Sequence, residues 1–495
     1  MAIFSVLLHR AVSHINKSVY GESLRARCAR SGVILGAAAF FERGMRFIRN
    51  MILARLLAKE DFGLMAVIFV VAQLLEASTD TGVKPSVIQN KQGGEPAYLN
   101  AAWWFQALRG LSLFTIAFFI APLICQFYKA PELLCWLRLS FLAIVFNALL
   151  SPRVYALEKD FRFGKVAFLI QGGSFLGIVL TIVLAFVLRN VSALVIGYTA
   201  EPVLRTLLSY ILCPLRPNLK IDRNKLKSLL IFARGTIGLP LITCVAFQMD
   251  IVVLGKMVTK AELGMYYLVG SFMQLPIELF RRVIGAFLLP AFAEKQDDQH
   301  KLCKGLLEIT RNTAMLCMPL IAFLVVCASP VLSIVYGVSY SVVALPFAIL
   351  ACHVLARLQS HILGLIFLAI GKPHIQRRCA LIRLITMLAL IYPGILLFGL
   401  SGAAIAVLVS GLFILIAQVI WTRKIIKLKF IDYAHCYHPG LCMSMIVLIP
   451  VISLRMLSIN SLIINITIGS IFCLIAYLIG MFLVMQDKNA LCLKR

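Results

Sequence analysis

The sequence predicts an all-α polytopic membrane protein of about 14 transmembrane helices, set out as two six-helix parallel-repeat lobes plus two C-terminal helices. Three observations predict it. The 495 residues are 61% hydrophobic and only 14% charged, with a mean hydropathy of +0.94. Soluble domains run at about 45–50% apolar and about 25% charged, and no soluble interior hides such an excess, so it must face lipid. Apolar runs of about 20 residues, enough to cross a bilayer as helix, recur along the whole chain. Finally, a segment at the end of the first run returns at the end of the seventh. A cytosolic enzyme, a secreted domain and a disordered regulator are excluded together.

Residues 1–30 are expected to form a cytoplasmic N-terminal segment. Its apolar stretch Ile3–Leu8 is too short for a signal peptide and no charged region precedes it. Phe4, Leu7, Leu8, Ala11 and Ile15 recur at helical spacing, which predicts a short helix on the membrane surface. The N-lobe, residues 31–214, takes spans at 31–57, 62–84, 98–127, 133–157, 165–188 and 191–214. A cytoplasmic linker, residues 215–228, carries apolar Leu219, Ile221 and Leu226 among cations and reads as a hinge on the inner headgroups. The C-lobe, residues 229–422, takes spans at 229–257, 263–290, 307–336, 341–370, 379–398 and 401–422. Residues 423–485 add spans at 439–457 and 461–485, and residues 486–495 form a cytoplasmic tail.

An even number of spans puts both termini on one side. With the termini inside, the inner segments hold about 28 Lys and Arg against about 6 in the outer loops, a strong positive-inside bias. The net charge of +27 therefore speaks for topology and for anionic membrane lipids as partners, not for nucleic acid. The 14 cysteines are scattered, and many, such as Cys244, Cys317, Cys327 and Cys473, sit inside apolar runs as small buried residues rather than a disulfide framework.

The repeat has a constant offset. ARLLAKEDFGLM at 54–65 aligns with GKMVTKAELGMY at 255–266, matching Arg55 to Lys256, Lys59 to Lys260, Asp61 to Glu262 and Gly63 to Gly264. Six spans per repeat give both halves the same orientation, and parallel-repeat transporters bind cargo at the repeat interface and rock around it.

Charges inside the spans locate the chemistry. A charged side chain at the bilayer centre costs about 2.5–3.5 kcal/mol on insertion scales, so such residues usually face protein or a watery cavity. Glu42, Arg46 and Arg49 share one helical face, with Arg43 beside them. Gln73, Glu76 and Asp80 form a second line, Gln274, Glu278, Arg281 and Arg282 a third, and His353, Arg357 and His361 a fourth. Arg138 and Asp250 add single charges.

Four stripes, two in each half, predict a shared cation-rich cavity and an anionic cargo, because guanidinium favours bidentate contact with phosphate or carboxylate. Arg46, Arg282 and Arg357 lie nearest mid-membrane. The plainer alternative is that Glu42 with Arg46, and Glu278 with Arg282, only neutralise each other as i,i+4 pairs. Arg234, Arg311 and Arg383 sit near inner span ends and are read as snorkelling to the headgroups. Asp250 stands at the repeat position of Arg49, which leaves open an opposite-charge contact between lobes or a coupling role. Glu76, Asp80 and Asp250 are the candidate carriers of a coupled proton or sodium ion. His353 and His361 are candidate titrating groups.

Pro240, Pro276, Pro346 and Pro393 predict kinks, and Gly173 with Gly177 predicts close helix packing within the chain. His435, Cys436, His438 and Cys442 are metal-like in type, but their spacing fits no common zinc pattern. No Walker loop, H-E-x-x-H or nucleophile elbow is present, so an ATP-driven pump or membrane protease is not expected. A transporter without catalytic residues, metal or cofactor is.

LARLLAKEDFGLMAV at 53–67, STDTGVKPSVIQ at 78–89 and QMDIVVLGKMVTKAELGMYYL at 248–268 resemble the bacterial polysaccharide transporter family, the Wzx-type flippases. That family belongs to the superfamily holding the MATE multidrug exporters and the lipid II flippase. The resemblance implies a two-lobe flippase of the bacterial inner membrane. Its cargo would be an undecaprenyl-diphosphate-linked oligosaccharide for capsule, exopolysaccharide or O-antigen, with polysaccharide polymerase machinery as a further partner. Gly63, Gly264 and Asp250 match the family pattern. A MATE-like cation-coupled exporter of small molecules is the alternative, and it favours a carboxylate-lined cavity.

Overall fold

The computed structural model describes residues 24–79, 81–160, 162–236, 238–456, 467–476 and 478–479. The surface helix expected near the N-terminus, Asp80 and the tail at 486–495 lie outside the described residues, as do the side chains of Arg234 and Arg282. The described residues are helical, without a strand. Contacts divide the chain into two compact units, Met1–Arg49 with Val71–Leu241, and Asn50–Val70 with Ile242–Arg495.

The first unit takes most of α1 (Leu24–Leu56), the end of α2 (Lys59–Ser78), then α3 (Val83–Gln89), α4 (Pro96–Tyr128), α5 (Leu133–Ala148), α6 (Arg153–Lys159), α7 (Phe163–Leu188), α8 (Val191–Leu212) and α9 (Arg223–Thr236). The span expected at 62–84 is thus shorter, ending at Ser78. The span expected at 133–157 is the bent pair α5 and α6, 53° apart.

Small residues set how α7 and α8 pack. A Cβ on Gly177 would meet Glu201 Cβ at 2.8 Å, and one on Gly173 would meet Arg205 Cα at 2.8 Å. Gly197 in turn faces the Thr181 side chain. The pairs step by four residues in opposite directions, so an antiparallel small-residue seam joins two helices of this chain. Asn190 caps α8 by accepting from Ser192 N at 3.0 Å.

The segment expected as a hinge on the inner headgroups is hydrogen-bonded to α4. Asn100 Nδ2 donates to Asn218 O (2.9 Å) and Lys220 O (3.1 Å), its Oδ1 accepts from Asn218 N (2.8 Å), and Trp104 Nε1 donates to Asn218 O (2.8 Å). Leu219 between them is 82% exposed.

The second unit takes the end of α1, the start of α2, and then α10 (Leu239–Met257), α11 (Lys260–Ala293), α12 (Gln299–Val326), α13 (Ala328–Val335), a 3₁₀ turn, α14 (Ala344–Ala369), α15 (Pro373–Ile426), α16 (Phe430–His435), α17 (His438–Met456) and α18 (Thr467–Ala476). At 54 residues α15 would be roughly 80 Å long, more than twice the hydrocarbon core. It is two arms: Gly399, at φ 54° and ψ −130°, leaves helical geometry, a conformation only glycine adopts without strain. The arms meet beside it, where a Cβ on Gly394 would lie 2.8 Å from Gly402 O. Pro240 and Pro346 do not kink helices as expected. They occupy the first turns of α10 and α14, where the missing N–H has no helical partner to lose.

The repeat read from sequence appears in this unit as a two-fold-like contact. A Cβ on Gly63 would fall on the Lys260 carbonyl, and one on Gly264 would fall on the Lys59 carbonyl. The turns match as well: Ala58 N donates to Asp61 Oδ2 (3.2 Å), and Thr259 N to Glu262 Oε2 (3.0 Å). Each pair is one repeat offset from the other, so glycine and acid are kept for backbone approach and helix-start capping.

Among the described residues nine helices are long and apolar enough to cross a membrane, or ten if the bent pair is one span. Rows of exposed side chains such as Phe119 (73%), Val187 (73%) and Leu397 (73%) are the surface that a bilayer covers. The chain is a multi-pass membrane protein.

Candidate functional site

The seam between α7 and α8 builds the polar cluster of the first unit. It brings Ser174 opposite Glu201 and Arg205, and α1 lays Arg46 against them. Glu201 Oε1 accepts from Arg46 Nη2 at 2.5 Å, Arg205 Nη2 at 2.6 Å and Ser174 Oγ at 3.0 Å. The single Ser174 proton has a second acceptor in Ile170 O at 3.0 Å, while Ser174 Oγ itself accepts from Arg205 Nη2 at 3.0 Å. Arg46 Nε also donates to Glu42 Oε1 at 3.1 Å, so Arg46 lies between two carboxylates. Arg49 is a further cation acting on Glu201. Glu201 and Arg205 were not singled out in the sequence, although their i,i+4 spacing inside an apolar span was a signal for them.

Glu76 is engaged as an acceptor. Its Oε1 takes Asn147 Nδ2 at 3.0 Å, and its carbonyl takes Arg109 Nη2 at 2.9 Å, while Arg109 Nε donates to Thr79 Oγ1 at 3.0 Å. Arg138 lies over the Phe118 ring, 4.1 Å from its centroid.

The second unit gathers its charges around an aromatic ring. Phe247 on α10 carries two guanidinium groups, Arg357 from α14 at 4.2 Å and Arg383 from α15 at 3.7 Å from the ring centroid. Arg383 is only 4% exposed and its Nε donates to Ala246 O at 3.3 Å. It does not snorkel: α15 begins at Pro373, so Arg383 sits almost three turns inside the helix, facing protein. Neither arginine has an ion-paired carboxylate among the described residues. A guanidinium over a ring face keeps its in-plane N–H groups free to donate, which is how such a group reads an anion.

Around this pair, Asp250 Oδ2 accepts from Tyr266 OH at 3.2 Å. Glu278 pairs with Arg281 at 2.9 Å, an i,i+3 contact, while the pair with Arg282 expected from the sequence lies outside the described side chains. His353 is 4% exposed, and neither ring nitrogen has a partner among the described residues. Its ring lies against Gly411, where a Cβ would come within 2.5 Å. His361 Nε2, likewise without a partner among the described residues, lies 3.1 Å from where a Cβ on Gly285 would be. The structure thus carries His353, Arg357 and His361 on α14 with Arg383 beside them in the second unit, while Arg46 and Arg49 belong to the first unit.

The chain is a helical, multi-pass membrane protein of two compact units. It is similar to the lipid II flippase MurJ in an inward closed conformation (TM-score 0.72, 14% identity, 90% of this chain and 98% of that one). It is also similar to an inward-facing multidrug resistance MATE family transporter (TM-score 0.64, 13% identity, 80% of this chain and 98% of that one).

Residues 52–345, more than half of the sequence, match the family described as polysaccharide biosynthesis protein, and the chain belongs to that family. Among its relatives are the succinoglycan biosynthesis transport protein ExoT of Rhizobium meliloti (23% identical, 59% of each chain) and the lipopolysaccharide biosynthesis protein WzxC of Escherichia coli (24%, 76% of each chain). A third is the probable low-salt glycan biosynthesis flippase Agl15 of Haloferax volcanii (21%, 81% of this chain and 85% of that one). The match with ExoT spans 59% of that protein's length.

Proposed function

We propose that the chain is a flippase of the bacterial inner membrane. It carries an undecaprenyl-diphosphate-linked oligosaccharide from the cytoplasmic to the periplasmic leaflet for capsule, exopolysaccharide or O-antigen synthesis. Both termini are cytoplasmic on this reading, and the lobes work by alternating access rather than by catalysis. The observation that carries it is the Arg357 and Arg383 pair on Phe247, two guanidinium groups held well inside the fold without an ion-paired carboxylate among the described residues. A diphosphate is the anion that satisfies both, because each guanidinium pairs bidentately with one phosphoryl group. Membership of the polysaccharide biosynthesis family and the names of the relatives support the same cargo class.

The energy source follows from charge. Moving anionic cargo out of an inside-negative cell releases about 2.3 kcal/mol per charge per 100 mV, so membrane potential alone favours export. A coupled proton or sodium ion is not required.

The test is genetic. Deletion of the gene is expected to abolish surface polymer while leaving drug sensitivity unchanged, and plasmid-borne wild type is expected to restore the polymer. Raised drug sensitivity with normal polymer would instead identify a MATE-like exporter.

A further inference from the structure

The reversal at Gly399 brings the two feet of α15 to one end, where Arg378 and Lys424 both approach Trp421. On the first arm Leu381, Ile385 and Leu388 form an exposed stripe at helical spacing, and on the second Phe413, Ile416 and Ile420 form another. Followed to the feet, the stripes end in Arg378, three residues before Leu381, and Lys424, four residues after Ile420. Between them stands Trp421. The Arg378 guanidinium lies 5.6 Å and the Lys424 ammonium 5.7 Å from its ring centroid, both within cation–π range. Trp421 is partly buried against the cluster of Phe367, Ile375, Cys379 and Ile414, while both cations are exposed.

Charge around this spot is one-sided. Lys372 and Arg377 flank the first foot, Arg423 and Lys427 the second, all exposed. Asp432 is the sole carboxylate in the sequence between Gly371 and Tyr437. None of these cations is ion-paired among the described residues. Just beyond in the chain, Phe430 (63% exposed) and Ile431 (61%) present apolar side chains. A tryptophan ringed by cations at the end of apolar stripes is the arrangement of a bilayer interface.

We propose that the foot of α15 is a binding site for an anionic glycerophospholipid of the cytoplasmic leaflet. Its phosphate sits at Arg378 and Lys424 beside Trp421, and its acyl chains lie along the two apolar stripes. The site belongs to the second unit's outer surface and does not involve Phe247, Arg357 or Arg383. Charge complementarity selects the occupant: a zwitterionic headgroup brings its own cation into a cluster that has almost no carboxylate to receive it, whereas phosphatidylglycerol brings net negative charge.

The test reconstitutes the full-length protein in vesicles of dibrominated phosphatidylglycerol or dibrominated phosphatidylcholine, since bromine quenches tryptophan on contact. Subtracting the signal of Trp421→Phe isolates Trp421 from the other three tryptophans. The expected result is several-fold preferential quenching by the phosphatidylglycerol. The preference should fall about fivefold for each of Arg378→Gln and Lys424→Gln. Both side chains are exposed, and native mass spectrometry of retained phosphatidylglycerol should follow the same order.

Equal quenching by the two lipids in the wild type, or an undiminished preference in the double variant, overturns the proposal. So does loss of the preference on adding millimolar inorganic phosphate at fixed ionic strength, which would mark an ion site and not a lipid site. A wild-type preference that survives phosphate and collapses in the double variant supports it.

Discussion

Replacing Glu201 with alanine removes the oxygen on which Arg46, Arg205 and Ser174 converge. Glu201 is 12% exposed and each arginine 24%, so solvent recovers little of the lost interaction. Breaking one partner out of a buried ion pair costs about 3–5 kcal/mol, because charge is left uncompensated. Two arginines are stranded here, although Arg46 keeps Glu42 at 3.1 Å. Glu201→Ala is therefore expected to destabilise by about 3–5 kcal/mol, and Arg46→Ala, which leaves Glu201 paired with Arg205, by about 1–3 kcal/mol.

The double variant should cost less than the sum, with a coupling of about 1–3 kcal/mol. Reversible unfolding in mixed lipid and dodecyl sulfate micelles measures all three, with Glu201→Gln as the near-isosteric control. Strict additivity, or a Glu201→Ala protein within about 0.5 kcal/mol of wild type, would refute the idea that one carboxylate organises this cluster.

Gly63→Ala and Gly264→Ala each push a methyl group onto a backbone carbonyl of the other repeat; backbone cannot rotate away, so both are expected to lose several kcal/mol and to accumulate poorly, as read by fluorescence-detected size exclusion. Gly177→Val should part α7 from α8 and destabilise by about 1–3 kcal/mol, whereas Gly94→Ala, with open space around it, should be silent in the same assay. Asp298 caps α12 by accepting from His300 N (3.1 Å) and Lys301 N (3.0 Å), and those hydrogen bonds, the one from Lys301 N first, hold its carboxyl below the usual range. A depressed carboxyl contributes above its unfolded value of about 3.9 and is lost as pH falls through the lower folded value. Protection factors in the first turn of α12, each rate referred to the intrinsic exchange rate at that pH, should therefore fall with acid in that window, and Asp298→Asn should flatten that fall. Phe247→Leu should cost about 2–4 kcal/mol through two lost guanidinium contacts, measured by the same unfolding assay.

Much of the architecture was legible because lipid imposes it. Expected spans at 191–214 and 341–370 match α8 and α14 within a few residues, since span length and apolarity are set by the bilayer. The repeat was legible because Gly63 and Gly264 are required at a backbone contact that no other residue fits. Harder to read was anything decided by which helix lies beside which. Phe247 is one phenylalanine among 32, and nothing local marks it as the platform for two arginines. Arg383 looked like a snorkelling residue because its span was expected to start at 379, when the helix begins at Pro373. Glu201 and Arg205 carry no local signal beyond their i,i+4 spacing, whereas Gly173 and Gly177, which place them, form a recognisable small-residue pattern. The bend at Leu149–Pro152 and the first-turn positions of Pro240 and Pro346 depend on helix boundaries, which apolar composition alone leaves loose.

The most direct measurement follows a fluorescent undecaprenyl-diphosphate-linked oligosaccharide across proteoliposomes holding wild type or the Arg357→Gln/Arg383→Gln pair. Each single variant loses one ring contact, worth about 1–2 kcal/mol, and Arg383→Gln also loses the hydrogen bond to Ala246 O, so translocation is normalised to the folded protein recovered in the vesicles. Translocation is expected to fall at least tenfold in each single variant and to vanish in the double. Wild-type flipping by the correctly folded double variant would contradict the central claim that these two guanidinium groups hold the diphosphate.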